Sequence, residues 1–157
     1  MKKEMKTCWE SPCGWLEIRW TEEGITLVSR RDECSVEEFP PQGYGAELIA
    51  ELKEYFAGRR SRFDVPLVVR GTLFQERVWE ALCSIPYGET RSYQDIAEAV
   101  GNPKACRAVG MANNRNRIGI VIPCHRVIGK SGSLVGYGAG LEMKEFLLDL
   151  EKRLSPC

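Results

Sequence analysis

Ser92-Tyr93-Gln94-Asp95-Ile96-Ala97-Glu98-Ala99-Val100-Gly101-Asn102-Pro103-Lys104-Ala105-Cys106-Arg107 is the stretch on which the fold reading turns. Ser92 with Asp95 opens a short helix that holds Ile96, Ala97 and Val100 and closes at Gly101. Asn102 then reads as the cap of a second helix whose first residue is Pro103, a position where the missing N–H is no loss. That helix carries Lys104, Arg107 and Arg115 among the small residues Ala105, Cys106, Ala108, Gly110 and Ala112. Two short helices joined at a tight Gly-Asn turn have the form of a helix-turn-helix. Topology alone leaves a plain helical hairpin packed in a core equally open.

Downstream, the polar run Asn113-Asn114-Arg115-Asn116-Arg117 delivers the chain into an apolar strand, Ile118-Gly119-Ile120-Val121-Ile122, and then into Pro123-Cys124-His125-Arg126-Val127. His125 is the only histidine in the sequence. A thiol is nucleophilic only as its thiolate, and an adjacent imidazole with nearby cations favours that form near neutral pH. Taken alone, a cysteine at the end of an apolar strand is first read as buried packing. A glycine-rich loop over 130–140 follows, able to bring backbone close to a flat ligand. The last helix places Met143, Phe146, Leu147, Leu150 and Leu154 at helical spacing, with Glu142, Glu145, Asp149 and Glu151 elsewhere on its surface.

Upstream, Thr72 with Gln75 forms a capping box ahead of Phe74, Val78, Ala81, Leu82 and Ile85, a helical stripe that ends at Pro86-Tyr87-Gly88. Residues 58–68 break the pattern and mark the domain boundary. Before them, Leu48, Ile49, Leu52, Tyr55 and Phe56 recur at helical spacing, and residues 13–30 read as a hairpin turning at Thr21-Glu22-Glu23-Gly24. The fold expected is therefore α+β: an N-terminal α/β domain over 1–68, then a mainly helical domain over 69–157 that carries the active site.

Composition narrows the function. The formal charge is zero, but residues 1–68 hold 10 Lys/Arg against 13 Asp/Glu, while residues 69–157 hold 12 against 9. No acidic residue occurs from Ala99 through Leu141, a span with Lys104, Arg107, Arg115, Arg117, Arg126 and Lys130. An acid-free basic region beside a candidate nucleophile points to an anionic partner. No apolar run reaches bilayer length, and the basic start lacks a signal-peptide core, so the expectation is a cytosolic or nuclear protein with no membrane partner. Seven cysteines, an odd count without a secretory signal, are expected as reduced thiols. Cys8 and Cys13 alone make weak zinc ligands, and no metal is expected.

From about Thr72 to Glu151 the sequence resembles the methylated-DNA-protein-cysteine methyltransferase family, the O6-alkylguanine-DNA alkyltransferases. The resemblance runs through Ser-Tyr-Gln-Asp-Ile-Ala, Gly-Asn-Pro-Lys-Ala-Cys-Arg-Ala-Val-Gly, Ile-Pro-Cys-His-Arg-Val-Ile and Lys-Glu-Phe-Leu-Leu. It implies a ribonuclease H-like N-terminal domain and a winged-helix-like second domain. It further implies a monomer that flips O6-alkylguanine, chiefly O6-methylguanine, out of double-stranded DNA and moves the alkyl group irreversibly onto Cys124, once per molecule and with no cofactor. By the same resemblance His125 is the general base through a bridging water, Glu151 orients it, and Tyr93 donates a proton to the leaving guanine. Arg107 fills the vacated stack, Lys104 and Arg115 contact phosphates, Asn116 ties the recognition helix to the active-site loop, and Val127, Tyr137 and Gly138 line the guanine pocket. Without the resemblance, Tyr93 reads as core packing, Glu151 as a surface carboxylate and Asn116 as a turn residue.

Three rivals stand beside this reading. A non-catalytic damage sensor of the same fold would lack the reactive cysteine. A Cys-His hydrolase would turn over repeatedly. A helix-turn-helix transcription factor would bind duplex without accepting any group.

Overall fold

The structure is a computed structural model that describes residues 3–34, 40–129 and 140–154. The chain divides into two compact units, Met1–Val69 and Arg70–Cys157.

The first unit is built on an antiparallel sheet in the order β1 (Met5–Ser11), β2 (Gly14–Thr21), β3 (Gly24–Arg31). Strands β2 and β3 are the expected hairpin. Strand β1 was not legible, because the residues it buries are Thr7 and Ser11, which leave no apolar alternation to read. Helix α1 (Gly43–Phe56) packs Leu48, Ile49, Leu52 and Tyr55 over Leu16, Ile18, Trp20 and Val28 of the sheet. Each such buried side chain contributes roughly 1.5–3 kcal/mol. Gly45 lets the helix close onto Trp20, since a Cβ there would lie 2.6 Å from the indole. Beyond α1 the chain returns alongside β3 in parallel. Ile25 N–H donates to Pro66 O at 2.9 Å, and Val68 N–H donates to Ile25 O at 2.8 Å.

The expectation of reduced thiols is corrected for Cys8 and Cys34, which form a disulfide, while Cys13, Cys83, Cys106 and Cys124 are free thiols. Cys34 follows β3 at one edge of the sheet and Cys8 lies on β1 at the other, so the chain leaving β3 must cross β2. Glu17, in register with Cys8, is buried, with Arg19 Nε at 2.5 Å and Arg31 Nε at 3.3 Å. A pairing over 26 residues is a product of sheet register and leaves no mark on local spacing.

The second unit begins with α2 (Leu73–Cys83), and its Thr72/Gln75 capping box is present. Next come the short strand β4 (Arg91–Ser92) and α3 (Tyr93–Ala99), which has the Ser92/Asp95 box. Helix α4 (Cys106–Asn114) starts later than the sequence implied. Asn102 and Pro103 sit in a turn closed by Ala105 N–H on Asn102 O at 3.0 Å, so Pro103 is not the first helical residue. Gly101, at φ 81°, provides the left-handed link.

The expected strand over 118–122 is instead a contracted turn. Ile122 N–H donates to Ile118 O at 3.0 Å, Val121 N–H donates to Gly119 O at 2.7 Å, and Ile120 stands at φ 68°. Ile118, Ile120 and Ile122 are all buried, so the apolar run serves the core. A 3₁₀ turn, Cys124–Arg126, follows, then β5 (Val127–Ile128) parallel to β4, and finally α5 (Leu141–Arg153).

Candidate active site

Two asparagines fix the backbone that presents Cys124. Asn116 Nδ2 donates to Ile122 O at 2.9 Å while its Oδ1 accepts from Ile118 N–H at 3.0 Å, which holds the contracted turn closed. Asn113, on the buried face of α4, donates from Nδ2 to Cys124 O at 3.3 Å. Trp79 of α2 in turn donates from Nε1 to Ala112 O at 2.8 Å, so α2, α4 and the reactive turn share one frame. Cys124 is 6% exposed.

The 3₁₀ turn sets the relative directions of the Cys124 and His125 side chains. Cys124 and His125 do not point to opposite faces of an extended segment; in this turn successive side chains are splayed by about a third of a revolution. What separates imidazole from thiol is the commitment of Nε2. His125 Nε2 lies 2.7 Å from Glu151 Oε2, and Nδ1 is buried without a hydrogen-bond partner among the described residues.

Glu151, on α5, also accepts from Arg126 Nε at 2.8 Å and Nη2 at 3.0 Å, a two-point fork, and from Gly88 N–H at 3.5 Å. Arg126 Nη1 donates to Ile85 O at 2.7 Å, and the guanidinium lies 5.7 Å from the centroid of the Tyr87 ring. Burial alone would raise the Glu151 pKa, but the His125 hydrogen bond and charge and the Arg126 fork outweigh it and lower the carboxyl to about 2. His125 is shifted below its ordinary value, chiefly because burial penalises the charged ring, with Glu151 opposing and Arg126 and Lys144 adding to the effect. The carboxylate can only accept, so Nε2 carries the proton and Nδ1 presents a lone pair.

Tyr93 opens α3 beside the same site. Its pKa is raised, first by burial and then by the charge that Cys124 bears as thiolate, and Gly110 of α4 faces its ring. Val127 is fully buried in β5. Lys144, fully buried on α5, donates from Nζ to Val127 O at 2.5 Å. Burial pulls its pKa down, and the Cys124 charge pushes it back up.

Cys124, His125, Glu151 and Tyr93 are thus gathered in one place, with Asn116 behind them. Lys104, Arg107 and Arg115 are not in that cluster. All three are exposed, on α4 or its flanks, and none makes a salt bridge among the described residues. Tyr137 and Gly138 lie outside the described residues. Sequence reasoning missed Asn113, Arg126 and Lys144. Asn113 shares the α4 face of Val109, and Lys144 shares the α5 face of Met143, Leu147 and Glu151, so a polar residue inside a buried stripe was the available signal. Among the described residues no group of three His, Cys, Asp or Glu is placed to hold a metal.

A family model described as 6-O-methylguanine DNA methyltransferase, DNA binding domain, matches residues 73–153. A Mycolicibacterium paratuberculosis protein named methylated-DNA–protein-cysteine methyltransferase is 60% identical over 156 residues, which cover 94% of this chain and 92% of that protein. The crystal structure of the Mycobacterium tuberculosis O6-methylguanine methyltransferase matches with a TM-score of 0.88 at 44% identity, covering 99% of this chain and 96% of that one. The M. tuberculosis OGT crystallised in complex with DNA matches with a TM-score of 0.87 at 46% identity, covering 98% and 96% of the two chains. The mixed α/β fold is common to these proteins.

Proposed function

The chain belongs to the methylated-DNA–protein-cysteine methyltransferase family, and from that membership we propose that it repairs DNA by moving the alkyl group of O6-alkylguanine onto Cys124. The observation that carries the reading is the buried His125–Glu151 pair, directly after Cys124 in the chain, with Nδ1 without a hydrogen-bond partner among the described residues. The Cys124 proton passes through a bridging water to His125 Nδ1. The Sγ thiolate then attacks the alkyl carbon in line, an S–C bond forms, the C–O6 bond breaks, and its electron pair leaves with guanine. Tyr93 gives the leaving base a proton. Glu151 balances the imidazolium, and Lys144 adds a cation toward the thiolate. A thioether lies outside thiol–disulfide exchange, so each molecule acts once, without a cofactor.

The target carbon is hidden in stacked duplex, so the nucleotide is flipped out. Helices α3 and α4 act as the helix-turn-helix of a winged-helix-like domain, 69–157. The exposed α4 face, with small Ala108 and basic Arg107 and Arg115, enters the minor groove. Arg107 fills the vacated stack, Lys104 and Arg115 hold phosphates, and Asn116 couples α4 to the reactive turn. Val127, Tyr137 and Gly138 line the guanine pocket. The segment 1–68 is a ribonuclease H-like domain, which the parallel return of 66–68 along β3 supports. The protein works as a monomer, in the cytoplasm or a nucleus, with no membrane partner.

The test is intact and peptide mass after incubation with duplex DNA containing O6-methylguanine. One methyl is expected on the peptide holding Cys124, in a stoichiometric reaction. Unmodified protein beside unrepaired DNA would overturn the reading, and repeated product release from one molecule would favour the hydrolase.

A further inference from the structure

Nothing in the alkyl-transfer scheme assigns a task to Arg126, yet it is one of the most elaborately held side chains in the molecule. The residue is 6% exposed, and its guanidinium makes three hydrogen bonds, two to Glu151 on α5 and one to Ile85 O after α2. Tyr87 faces its remaining side. The fork covers both carboxylate oxygens, and one of those, Oε2, is also the oxygen that His125 uses.

We infer that Arg126 is a positioning residue for alkyl transfer: its fork fixes Glu151 in orientation and charge, so that His125 is held as the neutral Nε2–H tautomer with Nδ1 free to take the proton of Cys124. The inference rests on the alkyl-transfer reading. Its logic is one of charge balance. A dry carboxylate needs one compensating cation, and two groups compete for the post, the guanidinium and a protonated imidazole. A guanidinium keeps its charge at every working pH and matches a carboxylate at two points. With Arg126 in place the imidazole is not called on to charge. With Arg126 gone, His125, which shares Oε2 of Glu151 with the fork, is placed to take up positive charge, and a ring that is already protonated cannot act as base.

The groups facing this ring are Glu151 and Lys144 from α5 and Arg126 from the same turn. Tyr87 and Cys83 feel Glu151 or Arg126 from the α2 side, and Tyr93 feels Cys124 from α3. Lys144 also disfavours a charged ring, and it donates to Val127 O.

Because His125 is the only histidine, its ring nitrogens give an unambiguous 15N signal in the intact chain. The experiment compares wild type, Arg126→Met and Arg126→Lys by 15N titration of that ring and by single-turnover transfer from O6-methylguanine duplex across pH. Wild type is expected to show Nε2 protonated and Nδ1 bare at neutral pH. Arg126→Met should move the charging midpoint of the ring upward by about 1 unit or more, as loss of a cation within hydrogen-bonding range implies. The acid limb of the rate should move with it, and activity should recover at higher pH. Arg126→Lys restores the charge but not the fork, so its midpoint stays near wild type while the rate falls between about tenfold and a hundredfold from misplacement.

An unmoved ring midpoint in Arg126→Met, with a rate loss equal at every pH, would overturn the inference and leave a purely structural arginine. If Arg126→Met does not fold, a wild-type rate in Arg126→Lys would overturn it equally. A wild-type protein that accepts no alkyl group defeats the alkyl-transfer reading instead, and the ring titration still decides what Arg126 does to His125.

Discussion

Glu151→Gln is a nearly isosteric change that should be among the most damaging single substitutions in the second unit. The native carboxylate accepts from His125 Nε2, from Arg126 Nε and Nη2, and from Gly88 N–H. An amide keeps one acceptor oxygen and turns the other position into an NH2. Whichever way it is seated, that NH2 meets an Arg126 N–H, and the guanidinium remains buried without a counter-charge. Breaking a buried pair from one side costs about 3–5 kcal/mol. For a cooperative unit of under a hundred residues each 1 kcal/mol lowers Tm by roughly 4–8 °C, so a loss of about 12 °C or more is expected. Calorimetry of the full chain measures it, with hydrogen exchange in the Leu141–Arg153 helix assigning the transition. Arg126→Met combined with Glu151→Leu removes both charges and should be more stable than Glu151→Gln alone. A Tm shift under about 3 °C, or a double variant whose loss is the sum of its parts, would refute the view that charge compensation in a dry site holds this helix in place.

Further outcomes follow from the same structure. Both His125 and Glu151 have folded pKa values below their unfolded ones, so the unfolded chain binds more protons in acid and stability must fall with pH. The loss begins near the ordinary histidine value of 6.5 and steepens between 4.5 and about 2, where Glu151 alone surrenders about 3 kcal/mol; a urea midpoint that stays flat from neutrality to pH 4 would contradict it. Arg107→Ala should slow repair of duplex DNA by roughly tenfold or more while reaction with free O6-benzylguanine changes little, since only the duplex requires a flipped base; equal losses would point to a folding defect. Opening the Cys8–Cys34 link, which closes a loop over 26 residues, should destabilise the first unit by about 3–4 kcal/mol, read as a reductant-dependent melting transition that Cys34→Ala abolishes.

The parts of this fold legible in the sequence are those written in local chemistry. The Thr72/Gln75 and Ser92/Asp95 boxes are each contained in four residues, and both helices begin where those residues say. The stripe Leu48, Ile49, Leu52, Tyr55 predicts the buried face of α1. Legibility fails where a distant partner decides. The run 118–122 has strand composition, but Asn116 takes the Ile122 carbonyl and the Ile118 N–H, groups a ladder would need, and the segment contracts. Asn102-Pro103 has the look of a helix start, yet α4 opens three residues after Pro103 because the intervening residues close a turn. In the site, Cys124 and His125 announce themselves by adjacency. Asn113, Arg126 and Lys144 act through contacts 11, 25 and 17 residues away, which no local pattern encodes.

The Cys8–Cys34 bridge sets a practical conflict inside one polypeptide. Cys124 accepts an alkyl group only as a free thiol, which an excess of dithiothreitol or phosphine would protect. The same reagent attacks the cystine in the first unit, with rates set by access and by the leaving thiol. Preparations made with and without reductant are then distinct covalent species, one with an unclasped sheet, the other clasped but with no reductant to protect the Cys124 thiol. Storage history becomes a variable in any comparison of activity or shelf life, and titrating accessible thiols before each measurement identifies which species is in the tube.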